Sequence, residues 1–279
     1  MKTRIALFAI TAVASITLAG CAPAELEPST STETNEAQSG EDTSLADVQE
    51  AGKIVVGTEG TYKPFTFHEN DGAGDLVGYD VEIIEAVAKK LDVDIEFQET
   101  QWDAIFTGLE ADRFDLIANQ VSINEERLAK YDFSEPYTVS PGVVIVAKDN
   151  TDISSLADLK GKTTAQSLSS NWHALAEENG AKIEAVEGWA QAIALLEQDR
   201  IDATLNDKLT YLDYVASKPE AADSLKVAAE TDDISNNAFV VAKGSTSLIG
   251  AIDEALAELR ADGTLAEISK KYFGEDVSQ

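Results

Sequence analysis

Two stretches of this chain align without a gap over eighteen residues. Residues 102–119 read WDAIFTGLEADRFDLIAN and residues 189–206 read WAQAIALLEQDRIDATLN. They share Trp102/Trp189, Leu109/Leu196, Glu110/Glu197, Asp112/Asp199, Arg113/Arg200, Asp115/Asp202 and Asn119/Asn206. A shared helix–turn–strand grammar supplies some of these identities, but seven in eighteen favours two lobes built on the same helix–strand unit. Each copy ends at the carboxyl end of its strand, the first running into Gln120 and the second into Asp207. Ligands of open α/β sheets bind outside the carboxyl ends of strands. Two such ends, one per lobe, imply a cleft between them.

The rest of the folded part alternates in the same way. Strand-like runs are expected at 53–58, 93–97, 114–118, 143–147, 162–166, 182–186, 201–205 and 238–243. Amphipathic helices are expected at 80–91, 103–111, 170–179, 190–198 and 209–216, with two more over 247–272 broken at Asp262-Gly263. Such alternation indicates α/β layers with mostly parallel sheets. About 235 residues follow the N-terminal region, enough for one large domain or two small ones.

The segment after the 114–118 run, NQVSINEERLAKYDFSEPY (119–137), carries the strongest chemical signal. Ser122-Ile123-Asn124-Glu125 has the form of a capping box, so a helix is expected to begin near Asn124. A strand turning at once into a helix presents free backbone N–H groups and a positive dipole end. Arg127 stands in that first turn, and its planar fork suits a ligand carboxylate bidentately. The alternative is a surface arginine paired with Glu125, Glu126 or Asp132.

Residues 1–20 read as a secretory signal: Lys2 and Arg4 lead, then 5–18 carries no charge. The run is short and rich in Ala and Thr for a membrane span. Leu18-Ala19-Gly20-Cys21 resembles the lipobox of bacterial lipoproteins, which implies that Cys21 carries a diacylglycerol thioether. Two acyl chains at roughly 0.8 kcal/mol per buried CH₂ anchor a protein stably. Residues 21–44 lack aromatics and read as a lipidated, disordered, acidic tether reaching about 25–30 Å. Cys21 is the only cysteine, so no disulfide forms within the chain. With two histidines, a metal site is not expected, and no cofactor signature is present. The formal charge is −30, which argues against nucleic acid and against electrostatic binding to anionic lipid.

Taken together, GTEGTYKPFTF (57–67), LVGYDVEIIEAVAKKL (76–91), SINEER with FSEPY (122–137), DRIDATLND (199–207) and ELRADGTLAEISKKYFGED (258–276) resemble the extracellular solute-binding proteins of ABC importers, in the group that binds polar amino acids. The resemblance spans roughly 51–277. It implies a two-lobed, periplasmic-binding-protein-like α/β fold hinged on two crossing strands near Val139-Ser140 and Asn237-Ala238. Lobe 1 is then discontinuous, 45–139 and 238–279, with lobe 2 at 140–237; closure on ligand is a hinge motion. A monomer working with a membrane permease and its cytoplasmic ATPase is implied, held on the outer face of the cell membrane, or periplasmic in a host with two membranes.

Residue by residue, the resemblance gives Arg127 the ligand α-carboxylate, Ser122 a donor beside it, and Asp207 the α-ammonium. Glu59, Tyr62 and Trp102 fall at positions lining the first-lobe side, although Tyr62 and Trp102 also suit a packing role. In Ser167-Leu168-Ser169-Ser170-Asn171-Trp172, hydroxyls and N–H groups suit a second carboxylate contact, beside simple helix capping by Ser169 or Ser170. The chain departs from many relatives at Asn119-Gln120 and at Ser-Ser-Asn (169–171), where they carry Ser or Gly-rich and Gly-Thr-Thr segments. QSLSSNW (166–172), VEGWAQAI (186–193) and DATLND (202–207) resemble the cystine-binding branch, so L-cystine is the expected ligand, with arginine, histidine or glutamine as alternatives. No catalytic residue is expected. A dehydratase on the same fold is the rival class and would nominate Glu59 or Glu69 as a general acid, yet neither forms an acid/base pair by spacing. A receptor ectodomain is a further alternative.

Overall fold

The computed structural model describes residues 42–278, the side chain of Asp71 excepted. In chain order the first elements are α1 (Ser44–Ala51), β1 (Lys53–Thr58), β2 (Thr61–Tyr62), β3 (Thr66–His68), α2 (Glu69–Gly72), β4 (Leu76–Val77), α3 (Tyr79–Lys90), β5 (Asp94–Glu99), α4 (Trp102–Glu110), β6 (Leu116–Ser122), α5 (Glu125–Leu128) and β7 (Tyr131–Phe133). Then follow β8 (Thr138–Ala147), β9 (Thr163–Gln166), α6 (Asn171–Glu178), β10 (Lys182–Ala185), α7 (Trp189–Glu197), β11 (Thr204–Asp207), α8 (Lys208–Ser217), α9 (Ala221–Ser224), β12 (Leu225–Ala242), α10 (Thr246–Ala261) and α11 (Thr264–Phe273).

A seven-stranded sheet runs β11-β8-β12-β6-β1-β5, with β7 also paired to β12. Its β1–β5 and β1–β6 pairs are parallel, as are β9 and β10 in a separate ladder. Every pair that β8 or β12 makes is antiparallel, which corrects the expectation of mostly parallel sheets. The reason is connectivity: the chain crosses out on β8 and returns on β12, and adjacent strands of opposite direction must pair antiparallel. In the β8–β12 ladder Thr138 stands against Asn237 and Ser140 against Ser235.

Two cores result. Around α3, α10 and α11, the residues Ile83, Ile84, Val87, Ile252, Leu256 and Leu265 are buried against β1 and β6. The second core gathers Trp189, Ile193, Leu196 and Tyr214 from α7 and α8 against Val143 and Ile145 of β8. Each such aliphatic side chain contributes about 1.5–3 kcal/mol of burial. Tyr62 packs against both cores.

The internal repeat is structural, pair by pair. After α4 and α7 the chain turns through Asp112 and Asp199, both left-handed at φ 52° and 54°. The next aspartates then clamp a neighbouring strand: Asp115 Oδ2 accepts from Val55 N and Asp202 Oδ2 from Thr163 N, each at 2.7 Å. The glutamates take tyrosine hydroxyls, Glu110 from Tyr131 at 2.5 Å and Glu197 from Tyr214 at 2.8 Å. Shared identities therefore buy the same turn and the same strand clamp in each half.

Residues 1–20, Cys21 and the tether as far as residue 41 lie outside the described residues. The end of the expected tether is corrected: Asp42 belongs to the folded body. Its carboxylate accepts from Ser44 N and Oγ at 3.0 and 2.7 Å, and from Thr246 Oγ1 and Ser247 N at 2.8 and 2.5 Å. Those hydrogen bonds, led by Ser44, hold the Asp42 carboxyl well below the usual range and join α1 to the start of α10. Among the described residues no helix is long and apolar enough to cross a membrane.

Candidate functional site

A cavity of about 430 Å³ opens between the two halves, at the carboxyl ends of β1, β6, β9 and β11. Eight of the residues singled out from sequence line it: Glu59, Tyr62, Trp102, Asn119 and Gln120 on one side, Ser167, Ser170 and Asn171 on the other. Ser122, Arg127 and Asp207 do not line the cavity; each is buried behind its wall.

The wall is built by side chains that the repeat positions. Asn119, ending the first copy, accepts from Glu59 N at 2.8 Å and donates from Nδ2 to Glu59 Oε2 at 2.6 Å. Asn206, ending the second copy, accepts the Tyr62 hydroxyl proton at 2.7 Å, while Thr210 Oγ1 donates to that hydroxyl at 3.1 Å. Tyr62 thus bridges the halves as well as covering the cavity. Gln120 sits in the left-handed region at φ 49°, a conformation strained for a non-glycine residue. Asp80 holds it there, accepting from Gln120 N at 2.7 Å and Nε2 at 2.6 Å.

The hydrogen bonding around Ser122 corrects the expected capping box. Ser122 ends β6, which starts at Leu116 rather than 114, and its hydroxyl donates to Asn237 Oδ1 at 2.9 Å. The helix cap is Asn124, whose Oδ1 accepts from Arg127 N at 2.9 Å. Strand pairing to β12 continues as far as Ser122 against Asn237, so that serine is not free to cap.

Arg127 is only 7% exposed, and no carboxylate lies within salt-bridge distance among the described residues. Pairing with Glu125, Glu126 or Asp132 is therefore not what it does. Its guanidinium donates to Ser122 O at 2.9 Å and Ser169 O at 3.3 Å, and lies 5.4 and 5.2 Å from the Trp102 and Phe106 ring centroids. Burial pushes its pKa down to about 10.

Three carboxyls face the opposite problem. Burial raises Glu59 to about 7 against the Asn119 hydrogen bond, with Asp103 adding to the rise. Burial likewise raises Asp80 to about 7 and Asp207 to about 6. Asp207 caps α8, accepting from Leu209 N at 2.8 Å and from Ser140 Oγ at 2.7 Å, both through Oδ1. A buried charge is costly unless paired. Among the described residues none of these four charged groups has a salt-bridge partner, and of the four Glu59 lines the cavity.

Across the mouth, Asp103 in the first turn of α4 closes on the turn before α6. Its carboxylate accepts from Ser169 N at 2.9 Å, Ser169 Oγ at 2.7 Å and Leu168 N at 3.3 Å. Ser170 caps α6, accepting from His173 N at 3.0 Å, as its position before the helix indicates. Asn206, Gln166, Trp172, Trp189, Glu99 and Glu187 also line the cavity and were missed from sequence. For Asn206 the signal was present, since the repeat pairs it with Asn119. Gln166 ends β9 as Thr58 ends β1, a correspondence that needs the strand clamps to be seen.

Comparison with known proteins agrees with this geometry. Residues 54–275 match the bacterial extracellular solute-binding proteins, family 3. The chain is 50% identical to the L-cystine-binding protein TcyA of Bacillus subtilis over 84% of this chain and 86% of that one. It is 37% identical to the L-cystine-binding protein TcyJ of Escherichia coli strain K12, over 84% and 88%. Among solved structures, the unliganded open L-cystine solute receptor of Neisseria gonorrhoeae is 45% identical with a TM-score of 0.56, covering 84% of this chain and 98% of that one. An ancestral arginine-binding protein bound to arginine is 35% identical yet superposes better, at a TM-score of 0.74 over 80% and 99%. On this fold, this cleft and these matches, the chain belongs to the bacterial extracellular solute-binding proteins, family 3.

Proposed function

We propose that this protein captures L-cystine between its halves and delivers it to the permease of an ABC importer. The observation that carries the reading is a set of charges without salt-bridge partners among the described residues: Glu59 half-buried on the cavity wall, and Arg127 and Asp207 buried behind it. Arg127 awaits an anion, and Asp207 with Glu59 awaits cations, which is the complement of an amino acid. Cystine carries two ammonium and two carboxylate groups, so it answers Asp207 with one end and Glu59 with the other. The similarity to TcyA and TcyJ supports the same ligand. Lobes at 45–139 with 238–279 and at 140–237, hinged where β8 and β12 pair, are supported by the way the four buried clusters divide; the few residues from Asp42 join the first. Cys21 is the proposed lipid anchor and places the protein outside the cytoplasmic membrane. Glu59 is read as a ligand carboxylate rather than a dehydratase acid, since its carboxyl is engaged by Asn119, and Glu69 is exposed.

Calorimetric titration of L-cystine, L-arginine, L-histidine and L-glutamine tests this. L-Cystine is expected to bind at least about tenfold tighter than the others, a difference of ~1.4 kcal/mol. Arginine or histidine ahead of cystine overturns the substrate and leaves the fold standing.

Glu59 makes the same reading testable by pH. In the ligand-free fold its proton is held up to about 7. The unfolded chain loses that proton in the ordinary carboxylate range, so this group lowers stability as pH rises between the two values. A ligand ammonium reverses the shift and expels the proton. Affinity is therefore expected to rise between roughly pH 6 and 8, with proton release seen as a buffer-dependent heat. Glu59→Gln should remove most of that slope. An unchanged slope in the variant counts against Glu59 as a ligand contact.

A further inference from the structure

Two donors on the cavity wall have no hydrogen-bond partner among the described residues. Trp102 Nε1 and Gln166 Nε2 are buried and make no hydrogen bond. Both residues line the cavity, at 7% and 3% exposure. They come from opposite halves, Trp102 opening α4 and Gln166 closing β9. Native proteins leave few buried polar groups unsatisfied, and each has a reason. Here both orphans are N–H groups, and an indole nitrogen can only donate. What they lack is an acceptor.

The surroundings narrow the kind of acceptor. Glu59, Glu99 and Glu187 line the same cavity, so a ligand end bearing only a carboxylate is repelled there. An end that carries an ammonium beside its carboxylate satisfies both sets: the ammonium meets the acids and the carboxylate meets the two N–H donors. Arg127 stands behind the wall for the other carboxylate. We propose that Trp102 Nε1 and Gln166 Nε2 form the receptor for the distal carboxylate of a two-headed amino acid. This rests on the cystine reading and deepens it, by assigning the far end of the ligand to two residues that line the cavity from opposite halves. It also makes ligand length a specificity device, because a one-headed amino acid leaves both donors unpaired.

The test is a double-mutant cycle between protein and ligand on the full-length protein. Trp102→Phe keeps the ring over Arg127 and deletes the N–H; Gln166→Met keeps the volume and deletes the amide. Each is titrated with L-cystine and with the mixed disulfide of L-cysteine and cysteamine, which lacks the distal carboxylate and keeps the distal ammonium. Each variant is expected to weaken L-cystine by about 5- to 100-fold, the range for an unmade hydrogen bond, and the mixed disulfide by less than about twofold. Wild type should bind the mixed disulfide more weakly than cystine by a similar factor. Equal losses on both ligands, or none on either, overturn the proposal while cystine binding itself stands. Wild-type protein that does not bind L-cystine overturns the substrate reading and this subsite together. Thermal melts of both variants confirm that the fold is retained.

Discussion

Arg127→Met is expected to abolish amino-acid binding while the melting temperature of the ligand-free protein stays level or rises. The two effects have opposite signs for one reason. In the free protein the guanidinium is buried with carbonyls and two aromatic rings for company and no carboxylate. Such a charge contributes little to stability, and replacing a buried ion by an apolar side chain of similar volume is often neutral or stabilising. In the complex the same charge is the cation that, among the described residues, stands behind the cavity wall for a ligand carboxylate. Removing one partner of a buried charge contact costs about 2–5 kcal/mol, or roughly 30- to 5000-fold in affinity. Arg127→Lys separates charge from shape: it keeps the charge but loses the planar fork, so binding should weaken without vanishing. Calorimetry and thermal melts on the three proteins decide it. A methionine variant that binds within a few fold of wild type removes Arg127 from the site.

Much of the framework behind this prediction was legible in the sequence. β1 spans the expected 53–58, and α4 and α7 start within a residue of the expected points, because repeated hydrophobic spacing is a local signal. β12 was not legible beyond its last residues. It runs from Leu225 to Ala242, through Thr231-Asp232-Asp233-Ile234-Ser235-Asn236, a polar and partly exposed stretch that reads as a loop. Pairing to β8 makes it a strand, and that partner lies far off in the chain. The capping box failed for a related reason. Ser122 and Asn124 are both good caps, and only the ladder to Asn237 shows which one is occupied. Arg127, Glu59 and Asp207 were visible as residue types. That Arg127 and Asp207 are buried and Glu59 half-buried with no salt-bridge partner among the described residues, and that Trp102 and Gln166 hold idle N–H groups, is a property of the packed cavity alone.

Asp207→Asn should produce the complementary result, and it is the sharper test of ligand orientation. The carboxyl of Asp207 caps α8 through Oδ1, and an asparagine side chain caps nearly as well, so the helix loses little. Burial has already raised this carboxyl to about 6, which means the free fold is destabilised by its ionisation. Wild-type stability is expected to fall as pH rises from the ordinary carboxylate range to about 6, and the variant should lack that part of the fall. Near neutral pH the variant is then at least as stable as wild type. Binding responds the other way. An α-ammonium that meets an amide in place of a carboxylate loses about 2–5 kcal/mol. The loss must be confined to ligands whose α-amine is free. Titrating L-cystine and its N,N′-diacetyl derivative against both proteins reads this directly: a large wild-type-to-variant ratio for L-cystine, and a ratio near one for the acetylated ligand. Equal ratios for the two ligands would mean that Asp207 supports the fold of the cleft and does not touch the ammonium, which would then fall to Glu59.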